Sequence, residues 1–365
     1  MIYMKSICFG LILIMSFYLI SCFDNPIVNI EQPFSFDSAR FNVTYKQAPY
    51  DLNGAYVTDT DKIFLYDYYG YAYYKNGAFI YSSYNLNFYP MSNMDGLNEN
   101  NAYLGGYEMV DNNRMRYKLM KWNGTDFETI QMTDTLSGIN YYFSSIYYKS
   151  PNEMWLGGGN GTAWKYDGVN FSKYIIDTNY GSSTKQHIIT YLLNDGNNDL
   201  CCVHLRDSTN NNYTSGILYF KFYKFNNNNG EFDLLTSIKY KDQNGSYGPC
   251  TPRKIGNKMY TVSSEGLFEF DGYSFNKITD IGPIIQPYPY VAGTGPNDIM
   301  ISGRTEINSN YYAGLYHWNG NKWSKENKFI SFSNGSSYLV YVNNMYICVD
   351  YMSNYPTFIK FLKKN

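Results

Sequence analysis

The 365-residue chain holds only three histidines, His187, His204 and His317. They are scattered, and none stands in a His-Glu-x-x-His or similar ligand spacing, so the sequence offers no histidine-based metal centre. Arginine is nearly as scarce, with Arg40, Arg114, Arg116, Arg206, Arg253 and Arg304 the full set. Charged residues make up 16% and the formal net charge is −2. That balance excludes electrostatic capture of nucleic acid as the main activity. Of six cysteines, Cys8 and Cys22 belong to the N-terminal segment. The other four, Cys201, Cys202, Cys250 and Cys348, match no zinc spacing. Gly157-Gly158-Gly159 lacks a following Gly-Lys-Ser/Thr and is not a phosphate loop. No cofactor is expected. Beyond residue 22 no apolar run is long enough to span a bilayer as a helix.

Tyrosine, by contrast, is abundant: 42 residues, in a chain that is 19% aromatic. Tyr suits strands and half-wet surfaces, so the excess favours β structure. Short asparagine runs, Asn210 to Asn212 and Asn226 to Asn229, sit between strand-like segments and read as loops.

A strand motif recurs seven times: a turn with Asn or Asp, then mostly apolar residues. The copies begin at Asp61, Asn100, Asn152, Asn198, Asn257, Asn297 and Asn343. Aligned on the fifth position they fall at Leu65, Leu104, Leu156, Cys202, Thr261, Ile301 and Ile347, at intervals of 39 to 59 residues. A second signature follows most copies, two aromatics five residues apart around an Asn-Gly or Asp-Gly turn. The pairs are Tyr74 with Phe79, Trp122 with Phe127, Tyr166 with Phe171, Phe270 with Phe275 and Trp318 with Trp323. Phe225 to Phe232 reads as the same hairpin stretched by asparagines. Such turns accept positive φ and favour tight hairpins. Burying each aromatic is worth roughly 1.5–3 kcal/mol, so the stripes read as packing between sheets.

Repeats of this period with four strands each predict an all-β, seven-bladed β-propeller, with a six-bladed ring plus a separate end as the alternative. The fifth blade is expected near Gly248–Arg253, Met259–Ser263, Gly266–Phe270 and Ser274–Ile278. The seventh copy runs out of chain after its third strand. Ala39 to Lys46 alternates like a strand and is expected to supply the missing outer one, which closes the ring and removes an exposed edge. The Gly-Gly pairs Gly105-Gly106 and Gly157-Gly158, with aromatics downstream, resemble kelch and galactose-oxidase-type propellers. The likeness is loose, and it implies fold only. Cys201 and Cys202, adjacent on one strand, must face opposite sides. Buried free thiols are expected, with a bridge from one of them to Cys250 as the alternative.

At the N-terminus, Lys5 precedes an apolar run from Ile7 to Ile20, a short targeting signal. Leu19-Ile20-Ser21-Cys22 resembles the lipobox of bacterial lipoproteins, although Ile20 is larger than usual at its place. The resemblance implies cleavage before Cys22 and its lipidation. It implies a signal peptide over residues 1–21, a tether over 22–34 and the propeller over 35–365, held on a membrane of the bacterial cell envelope outside the cytoplasm.

Sialidase boxes of the form Ser-x-Asp-x-Gly-x-x-Trp are absent, and Thr251-Pro252-Arg253 is not the Arg-Ile-Pro signature of that family. The connections after the second strands read as long at Tyr107 to Arg116, Arg206 to Thr214 and Arg304 to Tyr311. In a propeller these share one face. Glu108, Arg206, Asp207, Arg304, Glu306 and Asp350 are therefore candidates to ring the channel mouth, against the plainer reading of solvated loop charges. Two functions follow: a tethered binding module for a glycan or protein ligand, or a carbohydrate-active hydrolase or lyase that uses mouth carboxylates.

Overall fold

The computed structural model describes residues 41–47, 54–67, 70–83, 88–111, 114–130, 143–158, 161–176, 185–194, 198–207, 216–242, 252–263, 265–281, 286–307, 310–325, 337–352 and 355–364. Strand β1 (Phe41–Gln47) comes first. Blade 1 is β2 (Gly54–Asp59), β3 (Lys62–Tyr66), β4 (Gly70–Lys75) and β5 (Ala78–Ser83). Blade 2 is β6 (Tyr89–Asn98), β7 (Asn101–Asp111), β8 (Arg114–Trp122) and β9 (Phe127–Ile130). Blade 3 is β10 (Phe143–Ser150), β11 (Glu153–Gly158), β12 (Thr162–Tyr166) and β13 (Phe171–Ile175). Blade 4 is β14 (Lys185–Asn194), β15 (Asp199–Asp207), β16 (Gly216–Asn226) and β17 (Glu231–Asp242). Blade 5 is β18 (Arg253–Ile255), β19 (Lys258–Ser263), β20 (Gly266–Phe270) and β21 (Phe275–Thr279). Blade 6 is β22 (Gln286–Gly295), β23 (Asp298–Ile307), β24 (Asn310–Trp318) and β25 (Trp323–Lys325). Blade 7 is β26 (Ser337–Val342), β27 (Met345–Met352) and β28 (Tyr355–Lys364), with β1 as its outer strand.

The seven four-stranded antiparallel sheets form a seven-bladed propeller, which removes the six-bladed alternative. Strand β1 pairs with β28 from Phe41 opposite Lys364 to Gln47 opposite Phe358. The expected closing strand is therefore in place, and the first blade meets the last through a shared apolar cluster that includes Leu65, Tyr74, Ile347 and Phe361.

Each second strand lies between two neighbouring blades, so both of its faces are buried. Leu65, Leu104, Leu156, Cys202, Thr261, Ile301 and Ile347 are all fully buried. Five copies share one phase and two are a residue out of step. Leu104 and Leu156 pack against the preceding blade, whereas Cys202 packs towards blade 5 and Ile347 towards blade 1. In blade 7 the cause is the turn: Asn343 and Asn344 both take positive φ (48° and 62°) and form a two-residue link between Val342 and Met345. The strand starts one residue later than the motif suggests, and a one-residue slip exchanges the two faces. Cys201 and Cys202 do face opposite ways, towards blades 3 and 5. Both are buried free thiols, as is Cys348, while Cys250 lies outside the described residues.

The aromatic pairs meet across their hairpins as expected, with ring centroids 4.9 Å apart for Tyr74 and Phe79, 5.2 Å for Trp122 and Phe127, and 4.6 Å for Tyr166 and Phe171. Phe225 and Phe232 lie 5.1 Å apart and belong to the same series. The turns between them need correction. Only Asn76-Gly77 is a two-residue turn with both residues at positive φ (52° and 84°). At Asn123, Asp167, Asp271 and Asn319 the link is four residues long, and only the glycine is left-handed. There the Asx side chain accepts backbone N–H groups two and three residues on, as Asp167 does from Val169 (2.9 Å) and Asn170 (2.6 Å).

Seams between blades carry polar clasps. Asn93 of β6 donates to the Ile146 carbonyl of β10 and accepts from the Ile146 N–H, both at 2.9 Å. The Trp323 indole of blade 6 donates to Asp280 O, just after the last strand of blade 5 (2.8 Å); within blade 2 the Trp122 indole donates to Glu99 O (2.7 Å). At the Gly-Gly pair of blade 2 the physical need is close approach: a Cβ on Gly106 would lie 2.0 Å from the Tyr89 carbonyl oxygen. Residues 1–40, including Cys22 and the signal and tether boundaries, lie outside the described residues.

Candidate functional site

The six residues singled out for the channel mouth all fall near the C-terminal ends of second strands. Glu108 is on β7, Arg206 and Asp207 on β15, Arg304 and Glu306 on β23, and Asp350 on β27. The backbone therefore places them at one end of blades 2, 4, 6 and 7, one strand out from the axis. The side chains of Arg206, Asp207, Arg304, Glu306 and Asp350 lie outside the described set. Two of the connections expected to be long are continued strands instead. Strands β7 and β8 stay paired out to Asp111 opposite Arg114, and β23 and β24 out to Ile307 opposite Asn310.

Glu108 alone of the six can be followed to its contacts. It accepts from Arg116 directly across the hairpin and from Lys118 Nζ at 2.7 Å. Lys118 is buried, and that burial pulls its ammonium below the ordinary lysine range, with the nearby Arg116 charge adding to the effect. Glu108 is the counter-charge that keeps a buried lysine tolerable. On the opposite face of the same strands, Tyr89 and Tyr107 stack at 5.0 Å and 12°.

A second constellation was missed because its members come from the innermost strands of separate blades. Asp95 is on β6, Arg253 on β18, Tyr290 on β22 and Tyr338 on β26. Innermost strands face the axis, so these side chains converge across the channel although they are far apart in sequence. The Arg253 guanidinium lies over the Tyr290 ring at 5.8 Å, and Tyr290 meets Tyr338 at 5.1 Å. Among the described residues Arg253 has no ion-pair partner.

Asp95 accepts from the Tyr148 N–H of the next blade (2.8 Å) and from the Gly96 N–H (2.9 Å). Burial nevertheless pushes its carboxyl up to about 6; those two bonds and the Arg253 charge oppose the shift without cancelling it. Burial also pushes the Tyr338 phenol up to about 12, with Arg253 pulling the other way. Tyr66 and Tyr56 are raised as well, burial being the first cause in each. The set joins a guanidinium, a carboxyl raised towards neutrality and several phenols on innermost strands. It can bind and orient a polar ligand and can exchange a proton at Asp95. The legible signal was Arg253 itself, a rare arginine on a segment that reads as an innermost strand.

No family model matches the chain, and no curated protein matches it. Among solved structures it is similar to a variant of puromycin hydrolase complexed with PGG, with TM-score 0.56, 8% identity, and 83% of this chain and 50% of that chain covered. Puromycin hydrolase alone gives TM-score 0.54, 9% identity and the same coverages of 83% and 50%. Raptor from Chaetomium thermophilum gives TM-score 0.53 and 10% identity over 89% of this chain and 29% of that one. The chain thus spans half the length of the first two and under a third of the last. At such identities the likeness shows the fold alone, and that fold is the β-propeller.

Proposed function

We propose that this protein is a lipid-anchored, extracytoplasmic binding module that takes a polar, anion-bearing ligand, a glycan or a peptide, at its axis. The observation that carries the ligand reading is Arg253: a guanidinium flanked by tyrosines in the channel, with no carboxylate paired to it among the described residues. A guanidinium supplies five donors in a planar fork suited to a carboxylate, sulfate or phosphate. Tyrosines add broad, half-polar contact area. The kelch or galactose-oxidase kind of scaffold is part of the same reading, supported by the two Gly-Gly pairs.

The anchor rests on the Leu19-to-Cys22 pattern. Strand β1 begins beside the end of β28, so Phe41 lies at the face that carries the turns between first and second strands. Cys22 precedes Phe41 by 19 residues, a reach of roughly 65 Å at full extension.

Acidic and neutral glycans and short peptides, offered to the full-length protein in detergent, test this reading. Acidic ligands should bind, and Arg253→Ala should weaken them at least tenfold. Binding indifferent to Arg253 would overturn it. Replacing Cys22 by Ala should abolish acyl labelling and release the protein from membranes; retained acylation would refute the anchor. The hydrolase reading draws on one observation, the Asp95 carboxyl near neutrality, and requires turnover that Asp95→Asn abolishes.

A further inference from the structure

We propose a second ligand site, at the turn end of blade 4, that takes a neutral oligosaccharide. A cleft of about 510 Å³ opens there. That volume falls within the usual range for small-molecule sites, about 300–1,000 Å³. One wall is Lys149 of β10 with Asp199 of β15; the other is Lys224 and the asparagine-rich turn after β16.

This turn departs from the repeat. Elsewhere the paired aromatics have four residues between them, but Phe225 and Phe232 are separated by six, including Asn226, Asn227, Asn228 and Asn229. Asn226 is committed to the scaffold. Its amide nitrogen donates to Asp233 Oδ2 (2.8 Å) and its oxygen accepts from the Asn228 N–H (3.0 Å). It holds the turn so that the following asparagines stand on the rim. The side-chain amides of Asn227 and Asn228, and the Lys224 ammonium, have no partner among the described residues.

The chemistry selects the ligand class. Each free amide presents a donor and an acceptor, the pair that a vicinal diol satisfies. The charged lining balances, Lys149 and Lys224 against Asp199 and Asp233. Lys149 is already tied to Asp199 and to Glu153, each at 3.2 Å. Such a lining gives no net attraction for an anion or a cation. The half-buried Leu235, with the core ring of Phe225 beneath the turn, adds a little apolar surface for the C–H face of a pyranose. The site is independent of the axial one: none of its residues lies on β18, β22 or β26.

The experiment uses the full-length protein in detergent and a panel of neutral trisaccharides, cellotriose, maltotriose and chitotriose, with sialyllactose as the acidic comparison. Binding is read by saturation-transfer NMR and calorimetry. At least one neutral trisaccharide should bind, and Asn227→Ala with Asn228→Ala should weaken it at least tenfold. Both positions are exposed turn residues, and an unchanged melting temperature shows that the fold is kept. Arg253→Ala should leave this binding unaltered, which separates the site from the axial reading. No neutral sugar bound at about 10 mM, preference for sialyllactose, or binding indifferent to the asparagine changes would each overturn the proposal.

Discussion

Asn93 and Ile146 are joined by two hydrogen bonds, N–H to oxygen in each direction, although they belong to different blades. The side-chain amide of Asn93 thus behaves like one more peptide group beside β10. Sheets in a propeller do not pair edge to edge, so backbone groups at a seam need partners from side chains.

Replacing Asn93 by Ala removes both partners from Ile146, a buried residue. The cost should be about 1–3 kcal/mol, read as a lower midpoint in urea unfolding. Asn93→Asp should fare no better, because a carboxylate cannot donate to the Ile146 carbonyl.

Asp95 gives a pH signature with a definite sign. Its folded-state carboxyl is raised from 3.8 to about 6. The protonated form is therefore favoured by folding. Stability from this group is full below about pH 4 and is lost as pH rises through 6. Carboxyl NMR of labelled protein should show one aspartate titrating near 6. Subtracting the unfolding profile of Asp95→Asn should leave a decline confined to roughly pH 4 to 7.

Glu108 and Lys118 should behave as a coupled pair. Glu108→Gln leaves the Lys118 ammonium buried with a weaker partner and should cost about 2–4 kcal/mol. Adding Lys118→Met to that variant should recover most of the loss. Additive losses in a double-mutant cycle would show that the two side chains are independent.

Ring closure by β1 is open to a direct test. Val43→Pro removes a backbone donor from the strand paired with β28 and should expose that edge. An unfolding midpoint lowered by several degrees and concentration-dependent aggregation are expected; a wild-type melting curve would show that β1 is dispensable.

Much of the architecture was legible because it repeats. Seven motif strands and six aromatic pairs mark seven sheets, and the alternation over Ala39 to Lys46 marks the closing strand, which forms over Phe41–Gln47. The phase of blades 4 and 7 was not legible. When both faces of a strand are apolar, burial carries no parity, and only the turn length reveals which residue leads. The axial site was hidden for a different reason. Arg253 and Tyr338 are 85 positions apart along the chain and are linked through Tyr290, on the innermost strand of the blade between theirs.

Local chemistry, then, was enough to specify the unit: apolar motif strands, left-handed glycines at the turns and aromatic pairs across each hairpin are short-range facts written in neighbouring residues. What the assembled ring alone decided is which polar side chains look at one another. Asp95, Arg253, Tyr290 and Tyr338 acquire a common environment from the circular arrangement of their innermost strands, and their burial and charge coupling exist only once the circle is closed.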